Sequence, residues 1–536
     1  MSPLIESLKS TLRKTLSFLV RFAPARWVLA GWYRLSLKGL ALIVHGKHTG
    51  NIKAIFNRHQ NWILGISDID LIIFYDDPDP AQDRQLFVSF WRRYRVLRLI
   101  FPMLCGVSEV RWIPLRRLAK HPLHSQAEVH LLLNPEQWSC VFSRSEDPAL
   151  TVPVFDPPMK PGLPLTMFLD FNLYGYIQKQ LFSNEDQPSL RIDRMAKCAV
   201  KITQHLHYLQ TGDYVTVPQL KEELEKQPPQ QPWSHYRQVL DGLLQPGPGQ
   251  QDRDREIARS IYHALLDLSR AHEKLLHAES PESEPGHQFP AEWPGSGMEN
   301  FLREVEQGFS GRLSLVSFKS PYKQYHRRLF LVITPETPFE DFFAFIKLAR
   351  RYRETFQKQK IILNGTTPVL LTSQFYGLWG HVALEAYILA AQPVYAPRGG
   401  LKLRLPEEQW TLQKIRESVA VFEEFYLPFM MSPLAKGEGM DFCKIYERAE
   451  TEMLFNYYGY LKDKQAYLQL IEQSGGAVDE VIAWACARFG NEIGIQQWHP
   501  FRFVDSYPYL KKMIRQIDEM ALRQLESGTS DTRYST

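Results

Sequence analysis

The stretch from Trp62 to Asp77 reads WILGISDIDLIIFYDD and combines paired acids with an apolar run. Successive side chains of a β-strand alternate between its two faces, so an extended backbone here puts Asp68 and Asp70 on the same face. Residues 71–74 are all apolar, which is typical of a buried strand. The stretch therefore predicts a buried sheet strand that begins with two neighbouring carboxylates.

The two carboxylates predict a divalent metal site. Acids at positions i and i+2 of a strand repel each other unless a cation lies between them. The cation that suits oxygen-only ligands is Mg²⁺ or Mn²⁺. The alternative is a turn in which the two acids accept hydrogen bonds from backbone N–H groups. Gly65 and Ser67 before the pair, together with the apolar run after it, favour the metal site.

Length and composition exclude several classes of protein. A chain of 536 residues with 44% hydrophobic residues is long enough for roughly two to four domains. A net charge of +4 is too small for a protein that coats nucleic acid. The five cysteines include no CxxC pair, which argues against a zinc or disulfide framework and favours the reducing cytoplasm.

Residues 1–44 are basic and apolar and predict helices that pack on the first domain. Arg21, Arg26 and Arg34 interrupt the apolar run before it reaches the roughly 18 residues that a membrane span needs. We therefore expect no integral membrane segment. A peripheral contact of this region with anionic lipid is the alternative interpretation.

The residues around the acid pair also match a family motif. Gly65, Ser67, Asp68, Asp70 and Leu71 follow the order Gly-x-Ser-Asp-x-Asp-Leu. Over residues 50–115 the chain resembles the nucleotidyltransferase superfamily, which includes DNA polymerase β and the antibiotic-modifying nucleotidyltransferases. The resemblance implies a small mixed sheet flanked by helices, an α+β fold, and two Mg²⁺ ions held by three carboxylates. It also implies transfer of a nucleotidyl group from a nucleoside triphosphate, such as ATP, to an acceptor hydroxyl.

Asp68 and Asp70 would supply two of those three carboxylates, and the third must come from a neighbouring strand. The first choice is Glu109 in GVSEVRWIPL, because it follows a predicted helix at 80–100 and lies in an alternating, strand-like run. Glu128 and Asp156 are the alternatives. Glu109 would otherwise be an ordinary solvent-facing charge on an edge strand.

The end of the preceding strand departs from the family motif. Members usually have Gly-Ser or Gly-Gly there, whose backbone N–H groups approach the triphosphate. In this chain the corresponding place holds Arg58, His59 and Gln60, while Gly46-Lys47 is the other match, 22 residues before Asp68. Either Arg58 and Gln60 contact the phosphates, together with Gly65 and Ser67, or the triphosphate site has been lost.

The chain contains a candidate internal repeat. Residues 70–95 and 329–353 each combine an apolar strand, an acidic turn with proline and a helix that ends in Arg-Arg-Tyr-Arg. A second match relates residues 165–176 to 371–381. We therefore predict a degenerate second copy of the α/β unit. It has Arg327 and Leu329 where the first copy has Asp68 and Asp70, so it could not form the same metal site.

Breaks in apolar periodicity at residues 226–254 and 279–297 complete the predicted organisation. Six segments result: N-terminal helices at 1–45, a nucleotidyltransferase-like catalytic domain at 46–160, a helical domain at 161–278, a linker at 279–297, the degenerate α/β unit at 298–372 and a C-terminal helical domain at 373–536.

Two functions fit this organisation. The first is a magnesium-dependent nucleotidyltransferase whose acceptor is a small molecule, a protein or an RNA end. The second is a catalytically inactive nucleotidyltransferase-like protein that acts in binding or as a scaffold. The acid pair favours the first, and the altered end of the first strand favours the second.

Overall fold

The computed structural model describes the chain in separate stretches. They are 22–46, 48–58, 69–76, 79–101, 103–104, 110–116, 138–144, 298–309, 313–319, 327–333, 337–362, 369–372, 392–395, 408–431, 453–474, 478–496 and 503–531, with isolated residues between 207 and 263. The chain divides into two compact units. The first comprises Met1–Pro158, Arg416–Leu461 and Ile482–Glu526, and the second comprises Met159–Ile415, Lys462–Val481 and Ser527–Thr536.

The first unit is built on a four-stranded mixed sheet. Helix α1 (Ala23–Ile43) precedes strands β1 (Ile52–Arg58) and β2 (Asp70–Tyr75), and helix α2 (Pro80–Ile100) precedes β3 (Val110–Pro114) and β4 (Trp138–Ser143). The strand order is β3-β2-β1-β4. β2 and β3 run parallel, while β1 is antiparallel to both of its neighbours. A small mixed sheet with helices is the α+β architecture that the sequence predicts for this region.

Both faces of this sheet are covered, which explains the unbroken apolar run in β2. Ile72 and Phe74 lie in a core cluster on one face with Phe56 of β1. On the other face α2 presents apolar side chains at three- and four-residue steps, because a helix places such residues on one side. Phe87 and Phe90 of α2 lie with their ring centroids 4.9 and 4.8 Å from Trp112 of β3.

The second unit contains a sheet of the same connectivity. Helix α3 (Glu299–Phe309), strands β5 (Leu313–Lys319) and β6 (Arg327–Ile333) and helices α4 (Phe339–Arg351) and α5 (Arg353–Lys358) come first; β7 (Ile361–Ile362), β8 (Val369–Thr372) and β9 (Gln392–Tyr395) follow. β5 is antiparallel to β6 and to β9, and β6 is parallel to β7 and β8. β5, β6, β8 and β9 therefore repeat the arrangement of β1, β2, β3 and β4.

The two sheets also agree in register. Leu71 pairs with Val110 in the first sheet, and Phe330 pairs with Val369 in the second. Each residue of the second pair comes 259 positions after its counterpart in the first pair (71 to 330 and 110 to 369). The same separation relates the pair Arg58 and Asp70 to the pair Ser317 and Leu329. Both first strands also show a bulge against the fourth strand. Shared strand order, direction and register support the predicted internal repeat.

Two details of that prediction need correction. Leu371 and Thr372 lie in β8, where the register makes them equivalent to Trp112 and Ile113. The match of residues 371–381 to 165–176 is therefore wrong, because short strand-and-helix patterns resemble one another by chance; 165–176 lie outside the described residues. The second sheet also continues past residue 372, since β9 at Gln392–Tyr395 pairs with β5.

Helices make up most of the described C-terminal part. α6 (Glu408–Val421) continues through a π-helical turn (Phe422–Tyr426) into α7 (Leu427–Met430), and α8 (Lys464–Ser474), α9 (Val478–Ile493) and α10 (Phe503–Asp531) follow. Two contacts attach parts of these helices to the first sheet and to α2. The Trp91 indole donates a hydrogen bond to the Pro428 carbonyl at 2.7 Å, and the Arg111 guanidinium lies 4.6 Å from the Phe425 ring centre.

No helix in the described part of the chain combines the length and the hydrophobicity that a membrane span requires.

Candidate functional site

Asp70 is the first residue of β2 and is half-buried, while the other five residues of the strand are buried. Its Cα partner on β1 is Arg58, the last residue of that strand. The next residue, Leu71, pairs with Val110, the first residue of β3. Because β1 runs antiparallel to β2 and β3 runs parallel to it, the end of β1 and the starts of β2 and β3 meet at one end of the sheet.

Most of the other predicted site residues lie outside the part of the chain that the structure describes. Asp68, Glu109, Gln60, Gly65 and Ser67 lie outside the described residues, as do Glu128 and Asp156. Arg58 is described by its backbone, at the end of β1. Glu109 directly precedes Val110 in the chain. That the three acids meet stays a prediction. Of the residues it involves, the structure describes Asp70 itself and Val110, the residue that follows Glu109.

Gly46, the other match for the missing glycine motif, lies before β1 and not at its end. A Cβ atom on Gly46 would overlap the guanidinium of Arg93. That guanidinium donates a hydrogen bond to the Ile43 carbonyl at 2.9 Å. Gly46 therefore leaves room for the Arg93 side chain of α2 to reach the end of α1, which is a packing role.

The equivalent corner of the second sheet has different chemistry. The register places Ser317 and Leu329 where the first sheet has Arg58 and Asp70. Two residues before Leu329 is Arg327, and Pro368 precedes Val369 as Glu109 precedes Val110. None of the three acid positions has a carboxylate in the second copy.

No cluster of three or more histidine, cysteine, aspartate or glutamate side chains suited to a metal occurs among the residues described. Two of the three predicted ligands, Asp68 and Glu109, lie outside that set. The donor set itself suits Mg²⁺ or Mn²⁺, because all three ligands are hard carboxylates.

The opposite end of β2 has a simple surface ion pair. Asp76 follows the strand, and its carboxylate lies 2.7 Å from the Lys53 ammonium. Both side chains are partly exposed, so the pair contributes little to stability. Asp76 is accordingly a turn residue, and it offers a matched control for substitutions at Asp70.

A buried charged centre, formed by Tyr75, Asp83, Arg116, Glu423 and Lys511, also lies near this end of β2. The Lys511 ammonium is 2.9 Å from the Glu423 carboxylate and 3.3 Å from the Asp83 carboxylate, and it donates to the Tyr75 hydroxyl at 3.0 Å. Arg116 also pairs with Glu423. Lys511, Asp83 and Glu423 are almost fully buried.

Sequence analysis did not identify this centre. Its members come from β2, α2, the residues after β3, the π-helical turn and α10, and no local spacing connects them. The available signal was a charged pair, Glu423-Glu424, within an apolar helical run. The centre holds α10 and the π-helical turn against the sheet and is a structural element of the first unit.

Comparisons with known proteins give little further support. No family model matches the chain, and no curated protein matches it significantly. Among solved structures, a spectinomycin adenyltransferase from Enterococcus faecialis, determined with ATP and spectinomycin, matches at 12% identity with a TM-score of 0.31. The match covers 44% of this chain and 98% of that chain. This is a weak similarity to an antibiotic nucleotidyltransferase, and a TM-score this low does not establish a shared fold.

Proposed function

We propose that the first sheet carries an Mg²⁺-dependent nucleotidyl-transfer site. The observation that carries the proposal is the place of Asp70. It opens β2 beside the last residue of β1, and its neighbour Leu71 pairs with the residue that follows Glu109. Carboxylates from the starts of two adjacent parallel strands are a suitable arrangement for binding a divalent cation.

Each predicted residue has a role in this proposal. Asp68, Asp70 and Glu109 hold Mg²⁺ or Mn²⁺, and Arg58, Gln60, Gly65 and Ser67 bind the triphosphate. When bound, the metal ions lower the charge of the phosphates and activate the attacking oxygen. The acceptor oxygen forms a bond to the α-phosphorus of the nucleoside triphosphate. The bond from that phosphorus to the bridging oxygen breaks, pyrophosphate leaves, and the hydroxyl proton passes to solvent.

The acceptor is a small molecule, a protein side chain or an RNA end, and the residues of the proposed site do not distinguish among these classes. A second candidate function is a nucleotidyltransferase-like protein that binds a partner without catalysis. Arg58, His59 and Gln60 favour it, because they stand where a glycine would let the backbone approach the triphosphate.

The experiment that tests the proposal is isothermal titration of each of the four nucleoside triphosphates in the presence of Mg²⁺. We expect the wild type to bind at least one of them and the Asp68→Asn/Asp70→Asn variant to lose at least about a hundredfold in affinity. Asp76→Asn is the matched control and should bind like the wild type. Failure of correctly folded wild type to bind any triphosphate would overturn the proposal.

Release of pyrophosphate separates the two candidate functions. A transferase supplied with the bound triphosphate and extracts containing its acceptor releases pyrophosphate, and the double variant does not. Triphosphate binding without release in any acceptor preparation would favour the inactive binding protein.

A further inference from the structure

Helices α1 and α2 expose large apolar side chains. We call six of them the apolar face: Trp27, Trp32, Leu35 and Leu42 on α1, with Leu99 and Ile100 on α2. Trp27 is 81% exposed, Leu99 79% and Leu42 72%. Side chains of this size are usually buried, and exposed groups of them mark interaction surfaces.

The apolar face of α1 is not the face that builds the core. Tyr33 and Leu40 on the other side of the helix are buried. At about 3.6 residues per turn, Tyr33 and Leu40 lie on roughly the opposite side of the helix from Trp27, Leu35 and Leu42. The exposed residues are therefore additional to those that pack α1 against the first unit.

Three close approaches relate the two helices and the residues that directly follow them. A Cβ atom on Gly46 would meet Arg93, and one on Gly39 would meet Leu97. The ring centroids of Trp32 and Phe101 lie 6.5 Å apart. Residue numbers rise on α1 as they fall on α2, so the helices run antiparallel. This arrangement places the end of α2, where Leu99 and Ile100 are exposed, beside the middle of α1 near Trp32.

The surroundings of the apolar face are basic. Arg34 and Lys38 on α1 and Arg92 and Arg95 on α2 are exposed. Residues 22–58 contain no aspartate or glutamate, and residues 84–108 contain none either. Two copies of such a surface would repel each other in a symmetric dimer. Protein interface cores are also poor in lysine, whereas anionic lipid attracts lysine and arginine alike.

We propose that α1 and α2 dock the protein on the surface of an anionic lipid bilayer. Trp27, Trp32 and the exposed leucines enter the interface between headgroups and acyl chains, where amphipathic indole rings are favoured. Arg34, Lys38, Arg92 and Arg95 bind lipid phosphates. The helices lie on the membrane and do not span it. This inference is independent of the proposed nucleotidyl transfer.

The test is sedimentation of the full chain with vesicles of phosphatidylcholine, alone or with about a third phosphatidylserine. We expect binding to the anionic vesicles, little binding to the neutral ones, and weaker binding at high salt. Trp27→Gln/Leu99→Gln and Arg34→Gln/Arg95→Gln should each reduce the bound fraction at least about tenfold. All four residues are exposed, so both variants should melt like the wild type.

The matched control is Lys512→Gln/Arg523→Gln, which removes two exposed charges from α10 and should bind vesicles like the wild type. Three outcomes would overturn the proposal: no binding to anionic vesicles, equal binding to neutral vesicles, or wild-type binding by both test variants. Light scattering adds a fourth, a dimer in the wild type that Trp27→Gln/Leu99→Gln dissociates. That result would make the apolar face an interface between copies of the chain.

Discussion

At the scale of single residues, the third metal ligand is the sharpest point to test. Glu109 precedes Val110, which pairs with Leu71, the neighbour of Asp70. In the presence of a bound triphosphate, Glu109→Gln should weaken Mn²⁺ binding at least about tenfold, because it removes one charged ligand. Electron paramagnetic resonance of free Mn²⁺ measures this affinity.

Glu128→Gln and Asp156→Asn are the matched controls, since the sequence offers those residues as the alternative ligands. Each should bind Mn²⁺ like the wild type. A loss in one of them, with Glu109→Gln unaffected, would contradict the assignment and transfer the role to that residue.

Tyr507 gives a prediction about pH. Burial raises the pKa of its hydroxyl well above the usual value near 10, although the charge of Lys511 lowers it somewhat. A raised pKa in the folded state contributes stability that is fully present below pH 10 and is lost as pH rises further. The free energy of unfolding of the wild type should therefore fall above pH 10, and that of Tyr507→Phe should fall less.

At neutral pH the free energy of unfolding of Tyr507→Phe should equal that of the wild type to within about 1 kcal/mol. The reason is that the buried Tyr507 hydroxyl has no hydrogen-bond partner within the described part of the chain. Urea unfolding at several pH values checks both statements. Identical pH profiles for the two proteins would show that Tyr507 ionises as readily in the folded chain as in the unfolded one.

At the scale of elements, the buried charged centre decides how α10 is held. Lys511→Met leaves Asp83 and Glu423 buried without the ammonium that lies beside both. Removing one partner from a buried ion pair costs about 3–5 kcal/mol. We expect a loss of that size, measured as a lower urea midpoint.

Lys512→Met changes the next residue of the same helix. Lys512 is exposed and donates a hydrogen bond to the Glu492 carbonyl at 2.8 Å, so its loss should cost no more than about 1 kcal/mol. Equal losses for the two variants would contradict the role given to Lys511.

Elements also show where sequence reasoning succeeds. The apolar run of β2 and the acid at its start are local patterns, and the structure places a buried strand at Asp70–Tyr75. The repeat was visible because strand, turn and helix recur together, and the register of β2 and β6 supports it. Long-range relations were harder. The match to 371–381 was wrong, and the pairing of β9 with β5 across more than seventy residues had no local signal.

For the candidate site, too, local patterns could be predicted from the sequence and long-range pairings could not. Asp70 could be named because two acids directly before an apolar run are unusual in a sequence. The pairing that connects it to the residue after Glu109 could not, since the two segments are separated by α2. The centre around Lys511 was missed for the same reason, because Tyr75 and Lys511 meet only in the folded chain.

At the scale of the whole molecule, the chain has two sheets with the same arrangement of four strands, and acids occur at the three predicted ligand positions of the first copy alone. In the sequence, Asp68 and Asp70 stand just before and at the first residue of β2, and Glu109 directly precedes β3. Arg327, Leu329 and Pro368 stand at the equivalent positions of the second copy. The three carboxylates of the first set would suit a divalent cation, whereas the second set has no carboxylate for one. We therefore expect the two copies to differ in function although they share a topology.

The most direct test counts nucleotides per chain. Equilibrium dialysis with Mn²⁺ and the preferred nucleoside triphosphate would be run on the wild type, on Asp68→Asn/Asp70→Asn and on Arg327→Gln. We expect one nucleotide per chain for the wild type and for Arg327→Gln, and none for the double variant. Two nucleotides per wild-type chain, or one retained by the double variant, would contradict it.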